Sequence, residues 1–332
     1  MKILVTGATG FIGSALMERL AKDPRYQVVG TTRKNLSHDP QGPLIRVKDM
    51  EGPEETDWTL ALRKVDVLIH TAGRAHILHD KSPDPLALFR KVNVDGACLL
   101  ARQAALAGVR RFIFLSSIGV HGTRTQRPLT ENSTLHPASP YAISKVEAEQ
   151  GLRRIAKKTG MELVIIRPPL VYGPNAPGNF GRLLDAVAKS LPLPLASVHT
   201  NRRSFIAMDN LTDFITLCME HPNAANETFL IADGEDLSTR ALIQKLGKAL
   251  GKKPRLLPFP PRILEKAAAI FGRKDLAEKL LDSFQIDIGK ARTRLNWTPP
   301  LSLDEALAIT AQGHFGTRKP DSHGSPGPSV QE

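Results

Sequence analysis

The N-terminal stretch KILVTGATGFIG, residues 2–13, constrains the fold of this chain more than any other segment. A short apolar run leads into Gly7, Gly10 and Gly13, and apolar residues at helical spacing follow. The pattern predicts a buried strand, a tight turn and a helix, an arrangement that binds the pyrophosphate of a dinucleotide. Glycine permits the turn and leaves space for phosphate, and the helix N-terminus offers free N–H groups. The alternative is an ordinary strand–turn–helix unit whose glycines serve packing.

Five further apolar segments alternate with helical patterns in the first half of the chain. They predict strands over 27–32, 44–48, 65–70, 111–116 and 162–167. Long helices are predicted over 86–107 and 141–158, and Ser139 and Pro140 provide the cap and first-turn proline of the second. Six short strands that alternate with helices predict an α/β fold with a doubly wound parallel sheet of the Rossmann type.

The character of the sequence changes after residue 172. Prolines cluster, and helical patterns predominate at 180–190, 210–221, 238–250, 262–271 and 302–312. We expect residues 1–172 to form the dinucleotide-binding domain and 173–315 a smaller, mostly helical lobe over one end of the sheet. Residues 316–332 lack apolar periodicity, which predicts a disordered tail.

The composition narrows the functional classes. The chain has 332 residues, of which 41% are hydrophobic and 23% charged, typical of a globular protein. Cys98 and Cys218 lie far apart without metal-ligand spacing, so we expect free thiols in a reducing compartment and no metal site. No signal peptide precedes the first strand, and no apolar run reaches the roughly 20 residues that span a bilayer. These features predict a cytoplasmic protein without stable membrane insertion.

The net charge of +12 has several explanations. The cations are spread along the chain and aromatic residues make up only 5%, which argues against a nucleic-acid partner. A small polyanionic ligand such as a nucleotide accounts for part of the charge, and solvated surface accounts for most of it.

The ends of the predicted strands carry candidate cofactor contacts. The second strand ends in Thr31, Thr32 and Arg33, without the acid that would bind both ribose hydroxyls of NAD. Arg33 is suited to a 2′-phosphate, so we expect NADP(H) to be favoured over NAD(H), although a solvated arginine is the plain alternative. Asp49 follows the third strand, where it is placed to meet adenine. Ala72 and Gly73 follow the fourth and let a ligand approach the backbone.

A tyrosine and a lysine carry the predicted chemistry. Tyr141 and Lys145 are four residues apart on one helix face. A nearby ammonium, together with an oxidised nicotinamide, is expected to lower the pKa of the phenol, which makes Tyr141 a general acid or base for alcohol–ketone interconversion. Ser117 follows the fifth strand at the sheet edge where ligands bind, so its hydroxyl is placed to hold the same oxygen. A surface tyrosine and lysine are the alternative.

These motifs together resemble the extended short-chain dehydrogenase/reductase family, in its nucleotide-sugar epimerase/dehydratase group. The resemblance covers residues 1–313 and is carried by stretches 6–13, 116–122, 141–145, 167–174 and 295–299. It implies that Ser117, Tyr141 and Lys145 are catalytic. The cofactor contacts that follow from it and from the strand ends are Gly7, Thr9, Gly10, Phe11, Ile12, Gly13, Arg33, Asp49, Met50, Ala72, Gly73, Asn93, Tyr141, Lys145 and Pro168. The corresponding contacts to a UDP-sugar substrate are Arg74, Ser117, Asn179 and Arg203. A homodimer through helices 86–107 and 141–158 is also implied.

Two departures from the family pattern matter for function. His121 replaces a usual tyrosine, and Arg33 replaces the acid at the end of the second strand. Family dehydratases carry a carboxylate pair directly after the catalytic hydroxyl. Here Ile118 and Gly119 occupy that place and cannot move protons. A dehydratase is therefore disfavoured, and a 4-epimerase and a 4-ketoreductase remain.

Three further stretches, 70–76, 201–215 and 229–238, resemble the quinovosamine-forming reductases of bacterial O-antigen pathways. This resemblance favours NAD(P)H-dependent reduction of the C4 ketone of a UDP-4-keto-6-deoxy-N-acetylhexosamine in polysaccharide biosynthesis. A UDP-hexose or UDP-N-acetylhexosamine 4-epimerase is the alternative. A cofactor-binding regulator without catalysis is a second one, against which Ser117, Tyr141 and Lys145 argue.

Overall fold

The computed structural model describes residues 1–33, 43–47, 56–75, 82–272 and 274–316. The strands are β1 Lys2–Thr6, β2 Gln27–Thr32, β3 Leu44–Arg46, β4 Val67–His70, β5 Arg111–Leu115, β6 Glu162–Arg167, β7 Leu170–Tyr172, β8 Pro192–Leu193, β9 Phe205–Ala207, β10 Thr228–Leu230 and β11 Arg255–Leu256. The helices are α1 Phe11–Ala21, α2 Thr59–Leu62, α3 Pro85–Arg90, α4 Ala97–Leu106, α5 Pro140–Thr159, α6 Gly178–Ala188, α7 Met208–Glu220, α8 Thr239–Ala249, α9 Pro261–Ile270, α10 Lys274–Leu281, α11 Gly289–Leu295 and α12 Leu303–Gly316.

One parallel sheet organises the described residues. Its seven strands lie in the order β10–β6–β5–β4–β1–β2–β3, and each neighbouring pair is parallel. The chain runs outward from β1 to β3 and then continues on the other side of β1 from β4. This reversal leaves a crevice beyond the carboxyl ends of β1 and β4, where ligands bind in such sheets.

Alternate strand residues face two different cores. Ile3 and Val5 of β1 are buried with α1 and α7 on one face of the sheet. Leu4 lies with α4 and α5 on the other face. Because both faces are covered, the strands read as continuous apolar runs, which explains why the sequence predicts them.

Helix α5 carries the predicted catalytic residues, and local signals set its ends. Ser139 Oγ accepts a hydrogen bond of 3.2 Å from Ala142 N at the beginning, and Pro140 occupies the first turn. Gly160 ends the helix in a left-handed conformation with φ of 77°. These signals define a rigid element of 20 residues along one face of the sheet.

A third core belongs to the lobe that follows β7. Side chains of α6, α8 and α12 pack there with Tyr172 and Phe205. The carboxylate of Asp233 connects three elements of the lobe. It accepts hydrogen bonds from Tyr172 Oη at 2.8 Å, Ala207 N at 2.9 Å and Asn210 Nδ2 at 2.7 Å. Strands β7 and β9 and helix α7 are thereby held as one unit.

The predicted α/β fold with a doubly wound parallel sheet is confirmed. Strand β10 and helix α7, which lie within 173–315, add a seventh strand and a covering helix to the sheet. Three residues are too few to show strand periodicity, so the sequence does not reveal β10. The division into two domains remains a prediction. Of the predicted tail 316–332, Gly316 ends α12 and residues 317–332 lie outside the described residues. No described helix is long and apolar enough to cross a membrane.

Candidate active site

The glycine turn connects β1 to α1 at the crevice. Gly7 has φ of 72°, and Gly10 N donates a hydrogen bond of 2.9 Å to Gly7 O. A Cβ on Gly13 would lie 2.1 Å from Gly7 O, and one on Gly7 would lie 2.8 Å from Ala72 N at the end of β4. Packing alone therefore requires glycine at positions 7 and 13.

Gly10 differs from the other two glycines, and this difference fits a phosphate site. A Cβ at position 10 would meet only Gly7 O within 4 Å, at 3.2 Å, and Thr9 and Gly10 are exposed. None of the described side chains caps α1, and its first turn carries no acid. Phe11 and Ile12, both half-buried, begin this helix. The open helix N-terminus and the space at Gly10 therefore suit the pyrophosphate of a dinucleotide.

The adenosine side of the predicted cofactor site is described in part. Arg33 is exposed directly after β2, on the same sheet edge as the glycine turn, because β1 and β2 run parallel in register. Asp49 and Met50, the predicted adenine contacts, lie outside the described residues. The contact of Arg33 with a ribose substituent, like the contacts of Asp49 and Met50, stays a prediction.

Ser117, Tyr141 and Lys145 come together beyond the end of β5. The Ser117 hydroxyl lies near the phenol of Tyr141 and accepts a hydrogen bond of 3.1 Å from Gly119 N. Lys145 Nζ donates a hydrogen bond of 2.8 Å to Leu115 O. It also lies 4.5 Å from the centre of the Phe114 ring and 5.9 Å from the centre of the Tyr141 ring. A serine hydroxyl and a phenol are thereby presented side by side, with the lysine fixed behind them.

Burial controls the protonation of this group. It raises the pKa of Tyr141 to about 12, and the neighbouring Ser117 hydroxyl only partly opposes the shift. Burial lowers the pKa of Lys145 to about 8, against the attraction of the Glu149 carboxylate. Loss of solvent around the phenol therefore dominates its pKa in the chain alone, and the expected lowering by Lys145 together with an oxidised nicotinamide stays a prediction. Both the phenol and the Lys145 amine are therefore mostly protonated at neutral pH.

Asn93 connects the loop after β4 to the catalytic helix. It lies in a π-helical segment, Lys91–Gly96, which joins α3 to α4. Its Oδ1 accepts a bond of 2.8 Å from Arg74 N, and its Nδ2 donates one of 3.0 Å to Ser144 Oγ. A Cβ on Gly73 would lie 3.2 Å from Asn93 Oδ1 and 3.7 Å from Lys145 Nζ. The predicted contacts Ala72, Gly73, Asn93 and Lys145 therefore meet at one edge of the sheet.

A buried polar chain lies behind Ser117. Glu149 Oε1 accepts hydrogen bonds from Ser116 Oγ at 2.5 Å and Arg167 Nε at 2.9 Å, and Arg167 Nη1 lies 2.9 Å from His121 Nε2. His121 Nδ1 lies 3.2 Å from Thr134 O. Since a carbonyl only accepts and a guanidinium only donates, His121 is neutral with its proton on Nδ1. His121 thus fills the place of the family tyrosine as a link to Arg167.

Sequence reasoning missed Glu149 and His70. Glu149 lies four residues after Lys145, so the helical spacing that pairs Tyr141 with Lys145 also predicts its position. His70 is stacked on Phe114, and its Nδ1 lies 2.7 Å from Thr6 Oγ1. Burial lowers the pKa of His70 to about 3, so the ring is neutral. Only its place at the end of an apolar strand marks it in the sequence.

The predicted substrate contacts lie in three places. Arg74 is half-buried, with its guanidinium 5.6 Å from the centre of the Phe89 ring. Arg203 Nη1 donates to Asp282 O at 2.9 Å at the end of α10, and burial lowers its pKa to about 10, so it is charged at neutral pH. Asn179 is half-buried in the first turn of α6. Pro168, a predicted cofactor contact, accepts through its carbonyl oxygen a hydrogen bond of 3.0 Å from Ile118 N.

In the described ranges no cluster of three His, Cys, Asp or Glu side chains is placed to hold a metal.

Comparisons with known proteins agree with this geometry. Residues 3–232 match the family model described as "NAD dependent epimerase/dehydratase family". The chain is 41% identical over 312 residues to a UDP-glucose 4-epimerase of Vibrio cholerae, which covers 93% of this chain and 94% of the relative. The fold is similar to the UDP-glucuronic acid 4-epimerase of Bacillus cereus in complex with NAD, with a TM-score of 0.76, 25% identity and coverage of 94% and 98%. The UDP-glucose 4-epimerase of Thermotoga maritima with UDP-glucose gives the same values, a TM-score of 0.76, 25% identity and coverage of 94% and 98%.

Proposed function

Because this chain belongs to the NAD-dependent epimerase/dehydratase family, we propose that it is a 4-epimerase of a UDP-hexose or UDP-N-acetylhexosamine. The observation that carries the proposal is the grouping of Ser117, Tyr141 and Lys145 beyond the end of β5, where Lys145 Nζ is bonded to Leu115 O and lies 5.9 Å from the centre of the Tyr141 ring. The names of the similar proteins, which are UDP-sugar 4-epimerases, support this reaction over the reduction that the sequence alone favours.

Tyr141 acts on the 4-hydroxyl of the sugar in this account. Its phenolate accepts the hydroxyl proton while the hydrogen on C4 leaves as hydride, and Ser117 hydrogen-bonds the same oxygen. NAD held by the glycine turn and by the edge that Gly73, Asn93 and Lys145 form would supply hydride exchange at C4 and the positive charge that lowers the pKa of Tyr141. The keto sugar turns over, C4 receives hydride on its other face, and Tyr141 gives the proton back. The step consumes no net cofactor.

A second candidate is a 4-ketoreductase that uses NADPH. The exposed Arg33 at the end of β2 favours it, because a guanidinium there pairs with a 2′-phosphate and positions 31–33 contain no acid. In this reaction hydride reaches a C4 ketone from outside the sugar, and Tyr141 protonates the new alkoxide. Net loss of reduced cofactor separates it from the epimerase.

Product analysis on two substrates distinguishes these functions. The purified protein is incubated with UDP-glucose and, separately, with UDP-N-acetylglucosamine, each with added NAD. We expect the C4 epimer to appear without net formation of NADH, and the Tyr141→Phe variant to form none. If a UDP-4-keto-6-deoxy sugar instead consumes NADPH in stoichiometric amounts and neither UDP-sugar is epimerised, the protein is the reductase.

A further inference from the structure

Helix α9 presents an apolar face to solvent. Ile263, Ile270 and Phe271 are 54%, 81% and 76% exposed, and no residue of α9 is buried. Leu257 and Phe259, just before the helix, are each 42% exposed. These five side chains are half of the ten large apolar side chains that are exposed within the described ranges, although they occupy only residues 257–271. Such clustering marks an interaction surface.

Helical spacing puts the exposed side chains on one face. Ile263, Ala267, Ile270 and Phe271 follow one another by four, three and one residues, which aligns them along the helix. Leu264, on the adjoining face, packs against the core of the lobe. The lobe thus covers only one side of the apolar surface of α9. The other side, with Ile263, Ile270 and Phe271, is exposed and available to bind an apolar partner.

The same segment is strongly basic. Residues 252–272 contain one carboxylate, Glu265, and five exposed cations, which are Lys252, Lys253, Arg255, Arg262 and Lys266. None of the five forms an ion pair with another residue that the structure describes. An apolar stripe flanked by free cations is the composition of helices that lie in the interface of anionic bilayers.

The charge and the length of α9 distinguish between the possible binding partners of this face, a second copy of the chain and a lipid bilayer. A second copy of the chain docked through the same face would bring five cations against five cations, which costs free energy. A helix of ten residues extends about 15 Å, half of the roughly 30 Å of a bilayer core, so α9 can lie on a membrane but not cross it.

We propose that α9, with the basic segment 252–260, docks this protein on the surface of an anionic lipid bilayer. Ile263, Ile270 and Phe271 enter the interface while the flanking lysines and arginines meet lipid phosphates. Helix α9 packs on α10, whose carboxyl end is hydrogen-bonded by Arg203. Docking therefore holds the lobe that carries Arg203 beside the membrane, independently of which sugar reaction the protein performs.

Vesicle sedimentation tests this proposal on the full chain. Vesicles of phosphatidylcholine with phosphatidylglycerol are compared with vesicles of phosphatidylcholine alone, at low and high salt. We expect binding to the anionic vesicles, weakened by salt. The double substitution Ile270→Glu and Phe271→Glu should lower the partition coefficient by at least about tenfold. The control Leu60→Glu, at a 69% exposed leucine on α2, should leave it unchanged.

Three results would overturn the proposal. They are no binding of the wild-type chain to anionic vesicles, equal binding by the Ile270→Glu/Phe271→Glu variant, and a concentration-dependent molecular mass that this variant alone abolishes. The last result would assign the face to a second copy. Thermal unfolding shows whether the variants are folded. Conversion of free UDP-sugars should be unchanged in them, which separates failure of docking from failure of the proposed reaction.

Discussion

At the scale of single residues, the site places a protonated phenol where a base is needed. Burial raises the pKa of Tyr141 to about 12, and only Ser117 among its neighbours acts in the other direction. Lys145 Nζ lies closer to the Phe114 ring than to the Tyr141 ring, and burial lowers the pKa of Lys145 to about 8. In the proposed reaction, further positive charge bound beside the phenol would favour the phenolate, which would couple proton transfer to cofactor binding.

Removal of one oxygen tests the role of Tyr141. In Tyr141→Phe we expect the rate of sugar conversion to fall by about 10² to 10⁴, because proton transfer to the 4-oxygen is lost. The fold should persist, since the ring keeps its edge contact with Phe89 at 6.1 Å. Circular dichroism and thermal unfolding provide the control. A rate within about tenfold of the wild type would assign the proton transfer to another group.

His70 should make the fold sensitive to acid. Its pKa is about 3 in the folded chain and about 6.5 when unfolded, so the unfolded state binds an extra proton between these values. The contribution of His70 is constant above pH 6.5, and stability is lost as pH falls toward 3. We expect the free energy of unfolding to fall by about 1.4 kcal/mol per pH unit more in the wild type than in His70→Asn across this window.

Urea unfolding at several pH values measures this difference. Asparagine keeps a polar group near Thr6 but does not titrate, which makes it the matched variant. Parallel slopes for the two proteins between pH 6 and pH 4 would show that His70 is not buried neutral.

At the scale of elements, α5 serves both chemistry and stability. Residues 141, 145 and 149 follow one another at intervals of four, so a single helix face carries the phenol, the ammonium and the carboxylate that binds Arg167. The Glu149–Arg167 pair connects this face to β6, and both side chains are at most 5% exposed. Its geometry therefore fixes the rotation of α5 against the sheet.

Breaking this buried pair should be costly. We expect Arg167→Met to lower the free energy of unfolding by about 3–5 kcal/mol, because it leaves the Glu149 carboxylate buried without its cation. The double variant Glu149→Leu/Arg167→Met should be less unstable than the sum of the single variants. Lys22→Met, at the exposed Lys22–Glu18 pair with side chains 72% and 59% exposed, is the control and should change stability by less than about 1 kcal/mol. Additive single effects would mean that Glu149 and Arg167 are not coupled.

The glycine turn allows fold and ligand binding to be separated. Gly13→Ala should unfold the turn, because the new Cβ would lie 2.1 Å from Gly7 O. Gly10→Ala meets only one atom, at 3.2 Å, so the fold should persist while the methyl group occupies the space for pyrophosphate. Calorimetry with NAD and with NADP should show binding by the wild type and none by Gly10→Ala. Undiminished affinity in Gly10→Ala would place the pyrophosphate elsewhere.

At the scale of the whole molecule, the sequence predicts the sheet well and the lobe less well. Strands buried on both faces read as apolar runs, and β6 is found at the predicted residues. Strand β10, with three residues, is too short to show a period and joins the sheet from a distant part of the chain. Helix α11 has seven residues and buries only Ala291 and Leu295, a pattern too short to mark a helix in the sequence. Tertiary packing, which the sequence does not display, forms these elements.

The candidate site shows the same limit. Ser117, Tyr141 and Lys145 are predicted because their spacing and their place at strand ends are visible in the sequence. The chain that links Ser116, Glu149, Arg167 and His121 joins four separate elements, so no local pattern reveals it. The direction of the Tyr141 pKa depends on burial, which only the fold supplies.

The expected homodimer through α3, α4 and α5 stays a prediction at this scale. Light scattering of the purified chain should give twice the mass of one chain, and this mass should persist in the Ile270→Glu/Phe271→Glu variant. A mass of one chain at all concentrations would contradict the dimer without touching the proposed reaction.

The fate of the hydrogen on C4 tests the central claim most directly. UDP-glucose carrying deuterium at C4 is converted with unlabelled NAD in solution, and the UDP-galactose is analysed by mass spectrometry and NMR. We predict that the product keeps the deuterium at C4 and that Tyr141→Phe forms none, since the same hydride leaves and returns within one site. Product without deuterium, or no UDP-galactose alongside NADPH-dependent reduction of a UDP-4-keto sugar, would contradict the 4-epimerase.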